Sequence, residues 1–304
     1  MKPQTFARAC GRNTRRERHA DGAPEITELA GISTRRATAI QPRAHGSARL
    51  SVIGTERGTV LDGLRQAGAL KVLFPRVADS RCQAVLINTA GGVTGGDTFE
   101  TDANAGPGAH LSLTTQAAER AYRAQPFERA GLSTRLTLDD GARLDWLPQE
   151  TILFDGCSVE RSLKVDMAAS SRLLLVEPLV FGRAAHGERL DDAWFRDRIE
   201  VRRDGDPVFL DAMAFAGDVR SHLARRHVAA GAGAMASLLL ISPDAELPLT
   251  RLRGMLPQTA GASLIREGVL FARILAPDGF VLRQSLLPIL SFLSENALPR
   301  NWMT

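Results

Sequence analysis

The sequence predicts a mainly β fold of many short strands, with two or three helices placed mostly in its C-terminal third. Three observations predict it. From Gly46 onward apolar residues recur at period two, as in Leu132–Leu138 and Val159–Val165, the spacing that sends alternate side chains to opposite faces of a strand. Asp-Gly pairs at 62–63, 140–141, 155–156, 204–205 and 278–279 punctuate these runs with residues that tolerate positive φ. Apolar residues at helical spacing appear only late in the chain.

Taken in order, Ala84–Ile87 reads as a strand that runs into the glycine-dense block Ala90–Asp97, after which Asp97–Asp102 alternates as a strand again. Gln116–Arg123 reads as a short turn. Thr134–Leu138 and Ala142–Leu147 alternate on either side of Asp139-Asp140-Gly141 and predict a hairpin, as do Arg198–Arg203 and Val208–Leu210 around Asp204-Gly205. Leu249, Leu252, Met255 and Leu256 share one helical face, with Asp244 as the candidate N-cap. Leu282, Leu286, Leu287, Ile289, Leu290 and Leu293 predict a last helix, which Pro288 should bend or restart. No fixed repeat period is evident, so period alone does not support a solenoid or propeller.

With 304 residues and a hydrophobic fraction of 44%, the chain can bury a full core. It has no apolar run of membrane-spanning length and its first residues lack a secretory h-region, which predicts a soluble, cytoplasmic protein. Cys10, Cys82 and Cys157 are odd in number and far apart, fitting neither a disulfide framework nor a cysteine metal knuckle. The sequence pI near 9.4 is not spread evenly. Residues 1–46 hold nine lysines and arginines against four acids, whereas the remainder holds 29 against 30. The organisation expected is a basic, flexible arm over 1–46 and a single β-rich domain over 47–304. Nucleic-acid contact by the arm is the alternative function that this charge suggests.

The block Ala90–Asp97 nearly matches a dinucleotide fingerprint, but the strand-like residues after it cannot supply the helix N-terminus that holds a pyrophosphate. What it offers is a tight bend presenting Asp97. His186-Gly187-Glu188 lacks the cysteine pair of a zinc deaminase, and His222 and His227 lack the spacing of a zinc helix. No nucleophile elbow is present, and Cys157 reads as a small filler beside a turn. The chain is therefore expected not to be an enzyme; a hydrolase built on paired carboxylates is the least favoured reading. Acids inside apolar strands are the unusual feature: Glu150 beside Thr151–Phe154 and Glu177 at the end of Leu173–Val176. A buried carboxylate needs a cation, a hydrogen bond or water, and Arg183 is the partner expected for Glu177.

Five blocks, in order and spacing, resemble the UreD-type (UreH) urease accessory proteins: Leu64–Arg76 (LRQAGALKVLFPR), Ile87–Asp97 (INTAGGVTGGD), Leu113–Arg123 (LTTQAAERAYR), Trp146–Gly156 (WLPQETILFDG) and Phe181–Glu188 (FGRAAHGE). The resemblance is dense over residues 49–210 and does not reach residues 1–46. It implies a layered, β-helical arrangement of strands and a role as a scaffold in metallocentre assembly. It implies partners as well: apo-urease, the F-type accessory protein, and through that protein the G-type GTPase. Membrane partners are not expected. Nickel is implied as a transient passenger, with no tightly bound cofactor. Carried onto the matching motifs, the acids of a nickel route are Asp97, Glu150, Asp155 and Glu177, and the partner-binding motif residues are Gln116, Tyr122, Arg183 and Glu188. Carboxylates suit that task because weak oxygen sites can pass nickel on without trapping it.

Overall fold

The computed structural model describes residues 41–183 and 186–303. The predicted arm therefore falls largely outside the described residues, and Pro42–Thr304 forms one compact unit.

That unit is a stack of β coils. Each coil crosses one sheet, takes a short strand on a narrow third side, and returns across a second sheet. The first full coil is β4 (Cys82–Asn88), a single bridge residue Val93, and β5 (Thr98–Ala105). The second is β6 (His110–Thr115), β7 (Glu119–Ala121) and β8 (Ala130–Leu138), and the third is β9 (Arg143–Leu147), β10 (Thr151–Leu153) and β11 (Ser158–Met167). In the fourth, the ten-residue β12 (Arg172–Phe181) covers both the sheet and the third side before the chain returns as β13 (Asp192–Arg203). Equivalent strands of successive coils pair in parallel: β4, β6, β9 and β12 in one sheet, β5, β8, β11 and β13 in the other.

Antiparallel strands flank both ends. β1 (His45–Thr55) lies parallel to β5 and antiparallel to β2 (Gly58–Gly68), while β3 (Leu70–Leu73) borders β4. At the other end β14 (Asp206–Asp218) folds back on β13, and β15 (Ala234–Ile241), β17 (Val269–Ala276) and β16 (Ala260–Arg266) extend the sheet beyond β12.

Stacking puts like positions in register, and the core is built from those rows. Leu50, Ala103, Leu136, Val165 and Val201 are aligned across one sheet, and Leu111, Leu144, Leu173 and Ile241 across the other; all are buried between the sheets. A second apolar layer lies on the far side of the β12 sheet. There Leu174, Val176, Leu238 and Leu240 meet α2 (Leu249–Met255) and α3 (Gly279–Leu293). Strands β12 and β15 are thus covered on both faces, which is why they read as continuous apolar runs rather than alternating ones.

Several local expectations change in the tertiary context. The segments on either side of Asp140-Gly141 do not pair with each other: β8 lies between β5 and β11, and β9 between β6 and β12. The turn is a corner of the coil, and stacking on adjacent coils outweighs the hairpin alternative. Of the five Asp-Gly pairs only Asp204-Gly205, with φ of 52° and 84°, closes a hairpin. Asp62 lies at an irregularity in the β1–β2 register, and Asp278 caps α3 by accepting from the Val281 N–H. Asp244 does not cap α2; its side chain accepts from Ser242 Oγ, and Pro248 occupies the N-cap position. Helix α3 (the third, after α1 at Val219–Ala224) runs unbroken through Pro288. Pro288 and Gln284, whose carbonyl loses its donor, both face solvent, so water can satisfy the lost bond. Gln116–Arg123 holds a bend followed by β7.

Candidate functional site

The interior is not uniformly apolar. Arg161 occupies the row of β11 that otherwise points Val159, Leu163 and Val165 into the core, and Asp197 does the same on β13 between Phe195 and Ile199. The two are directly paired in the sheet. Arg161 donates to both Asp197 oxygens, Nε at 2.9 Å and Nη2 at 2.6 Å, and its Nη1 reaches across to Glu177 Oε2 at 2.6 Å on the opposite sheet. Nη1 also donates to Thr151 Oγ1 at 3.2 Å, and Trp146 Nε1 donates to Glu177 Oε1 at 2.6 Å.

Glu177 has its polar surroundings because of a break in the stacking. β12 pairs with β9 up to Leu175 and with β10 from Leu179, and between those points the preceding coil leaves the ladder as Pro148-Gln149-Glu150. Glu177 sits on β12 beside that gap, in the same phase as Leu173, Leu175 and Leu179, whose side chains lie between the sheets. Burial, with Asp197 nearby, pushes its carboxyl above the ordinary range against the pull of Arg161 and the Trp146 hydrogen bond. Burial alone would lower the guanidinium of Arg161, but the carboxylates of Asp197 and Glu177 outweigh it and hold the cation more firmly protonated.

Arg161, Glu177, Trp146 and Thr151 border a cavity of about 250 Å³ between the sheets. Thr101, Thr134, Thr151, Trp146, Arg161 and Glu177 line its inner part. Its outer part is formed where successive coils turn the same corner: Asn88 with Gly91 and Gly92, then Thr115–Ala118, then Pro148 and Gln149. Gln116 is exposed at this mouth. Glu119 lies there too; burial raises its carboxyl pKa although Asn88 Nδ2 donates to it.

The remaining residues singled out in the sequence take other places. Asp97 is buried and closes the glycine bend, accepting from Ala44 N and Thr94 N, both at 2.8 Å. The glycines are needed there: a Cβ on Gly92 would lie 2.3 Å from the Tyr122 ring. The strand that follows is β5, consistent with rejecting a dinucleotide loop. Glu150 is partly exposed, 3.7 Å from Arg283. Asp155 accepts from the backbone of Asp191 and Asp192 and from Arg123 at 2.5 Å. Burial works against its ionisation, but these donors prevail and lower its pKa.

Arg183 does not meet Glu177. It pairs with Glu188 and lies over the Phe154 ring, 4.1 Å from the centroid, while Glu188 Oε1 accepts from Asp155 N. Phe154 in turn meets Tyr122 edge to face at 5.0 Å, and Tyr122 Oη donates to Gly91 O. Residues 122, 154 and 182 follow stacked positions of the third side, so the partner-motif residues Tyr122, Arg183 and Glu188 form one surface ladder apart from the interior acids. Among the described residues no three His, Cys, Asp or Glu side chains form a group that could hold a metal ion. Cys157 is buried, and burial pushes its thiol up to about 12.

The whole unit has known relatives. The model of the UreD urease accessory protein family matches residues 44–303. A urease accessory protein UreD of Ruegeria pomeroyi is 54% identical over 244 residues, 80% of this chain and 95% of the relative. Its counterpart in Roseobacter denitrificans is 50% identical over 262 residues, 86% and 96% of the two chains, and that of Xanthobacter autotrophicus is 41% identical over 276 residues, 90% and 94%. The chain belongs to the UreD urease accessory protein family. Membership places it in urease maturation and agrees with the resemblance carried by the five motifs. The structure adds where those motifs go: three of them build the corners around the cavity mouth, and the Phe181–Glu188 motif joins the surface ladder. Sequence reasoning found Glu177 but missed Arg161, Asp197 and Trp146 Nε1. A signal for the first two existed, since each is a charged residue in the apolar phase of an alternating strand. Among the described residues no helix is long and apolar enough to cross a membrane.

Proposed function

We propose that this chain is a non-catalytic scaffold that binds apo-urease and the F-type accessory protein, and through the latter the G-type GTPase, and gives nickel a protected passage toward the urease active site. The observation that carries this reading is the cavity between the sheets, which sets Glu177 and Arg161 among Leu86, Phe99, Leu132 and Leu163. Buried charges are costly and apolar replacements often pack as well, so a carboxylate lining an internal cavity invites a use beyond packing. A passage for a cation has such a use for Glu177. Glu177 stands in its inner part, Glu119 near its mouth, and Glu150 on the corner beside it. Asp97 and Asp155 are committed to backbone N–H donors and serve the route through the shape of the bends they fix. The ladder of Tyr122, Arg183 and Glu188, seated on the buried ring of Phe154, is the surface assigned to partner recognition, because exposed aromatic and arginine side chains held in place by neighbours are what interfaces use.

The test is the nickel content of urease purified from cells making the urease subunits and the other accessory proteins, with and without this chain. Loading falls to background without it if the reading is right. Glu177→Ala lowers loading while pull-down of the partners persists; normal loading by that variant removes Glu177 from the route.

A further inference from the structure

We propose that Arg161 is an internal gate: a tethered cation that occupies Glu177 while the passage is empty and swings onto Asp197 alone when a divalent cation takes its place. The proposal rests on the conduit reading and adds to it the device that opens the interior site.

The geometry has the parts such an exchange needs. Glu177 accepts Trp146 Nε1 on one oxygen and Arg161 Nη1 on the other, so each oxygen already has a donor while Arg161 is in place. Arg161 is not dependent on Glu177, because Nε and Nη2 make a two-pronged pair with Asp197 from the neighbouring strand of its own sheet. Releasing Glu177 costs the guanidinium one contact and leaves its charge paired. Thr151 Oγ1, also on Nη1, can keep that donor satisfied. The side chains of Arg161, Glu177 and Asp197 carry a net charge of −1 when ionised, so the cluster attracts a cation. It holds it only in competition with the cation already there. A fork-shaped guanidinium with two carboxylates suits this role better than an ammonium would, since it can keep a bidentate pair while one nitrogen lets go. A site of this kind accepts and releases, which is what transfer demands. Without Arg161 to compete for it, Glu177 would hold the cation longer.

The experiment is a Ni²⁺ titration of the full chain, in its complex with the F-type protein, by calorimetry and by quenching of Trp146 emission, with Trp146→Phe as the spectroscopic control. Arg161→Lys keeps the charge but cannot fork, and should tighten Ni²⁺ binding about tenfold, the scale on which outer-shell partners move metal affinity. Asp197→Asn, nearly isosteric, removes the second anchor, commits Arg161 to Glu177, and should weaken binding about tenfold on the same scale. Opposite shifts support the gate, and a merely structural ion pair would not give them. Shifts of the same sign, or none, while Glu177→Gln abolishes binding, overturn the gate and leave the conduit standing. Unchanged binding in Glu177→Gln overturns both. Should Arg161→Lys fail to fold, a lack of weakening in Asp197→Asn is by itself enough to reject the gate.

Discussion

Glu177 and Arg161 come from opposite sheets and meet at 2.6 Å in the interior, with Asp197 holding the far side of the guanidinium. Glu177 also accepts from Trp146 Nε1, but Arg161 is the only basic side chain ion-paired with either carboxylate among the described residues. The consequences of removing each are therefore unequal. Arg161→Ala strands two buried carboxylates and should cost about 3–5 kcal/mol, the range for breaking a buried ion pair. Glu177→Ala leaves Arg161 paired and should cost about 1–3 kcal/mol, the scale of losing one buried hydrogen-bonding partner. Urea unfolding of both variants checks the order, and equal losses would mean that the triad does not act as drawn.

Asp97 has no free role beyond the bend it closes. Asp97→Ala leaves the Ala44 and Thr94 N–H groups without their acceptor and should destabilise by about 2 kcal/mol, a typical penalty for unsatisfied buried donors. Thermal unfolding reads this directly. A variant with unchanged stability but lost nickel transfer would reassign Asp97 from structure to metal handling.

Asp145 predicts an acid limit to stability. It is fully buried on β9 between His110 Nε2 at 2.9 Å and Arg143 Nε at 3.4 Å. Burial opposes its ionisation, but the His110 hydrogen bond and the charges of Arg143 and Arg172 outweigh it, and its pKa is lowered. For a carboxyl with a depressed folded value, the stabilisation is complete above the unfolded value of about 3.9 and is lost as pH falls through the lower, folded one. Asp145→Asn should therefore be less stable than the parent at neutral pH, with a shallower loss below about pH 4. Parallel stability profiles for the two would show that Asp145 is not the group responsible.

Cys157 should resist alkylation in the native protein. It is buried and its thiol is pushed up to about 12, so the reactive thiolate is scarce at pH 8. Peptide mapping after iodoacetamide treatment should find it labelled only in denaturant. Rapid native labelling would mean that Cys157 is not the buried filler it is taken to be.

Gly92 tests the stacked corner. Its φ of 149° and the Tyr122 ring 2.3 Å from where a Cβ would stand leave no room for a side chain. Gly92→Ala should expel Tyr122 from its contact with Phe154 and lower partner binding without emptying the core. Intact partner binding would separate the Tyr122–Phe154–Arg183 ladder from recognition.

The strand content, the late helices, the Asp204-Gly205 hairpin and the family were all legible in the sequence. Each depends on local alternation, turn chemistry or motif spacing within a short stretch of chain. Glu177 stood out for the same reason, as an acid ending an apolar run. Pairing was not legible. The residues flanking Asp140-Gly141 satisfy a hairpin locally, yet β8 and β9 belong to different sheets, because each gains more by lying on the equivalent strand of the next coil. Arg183 was the expected partner of Glu177 because it is near in sequence, but β12 runs straight from Glu177 to Phe181 and carries Arg183 out to the third side, onto Phe154 and Glu188.

By itself the sequence determined the chemistry available: which strands alternate, which turns are tight, and which acids sit among apolar neighbours. Only the tertiary structure decided which charges share the interior. Arg161 and Asp197 are 36 residues apart and Glu177 lies on the other sheet. Coil stacking puts the first two side by side, and the sheet packing brings the third within hydrogen-bonding reach. Register between coils and the spacing of the sheets are collective properties of the packed chain, so no single stretch of sequence encodes that contact.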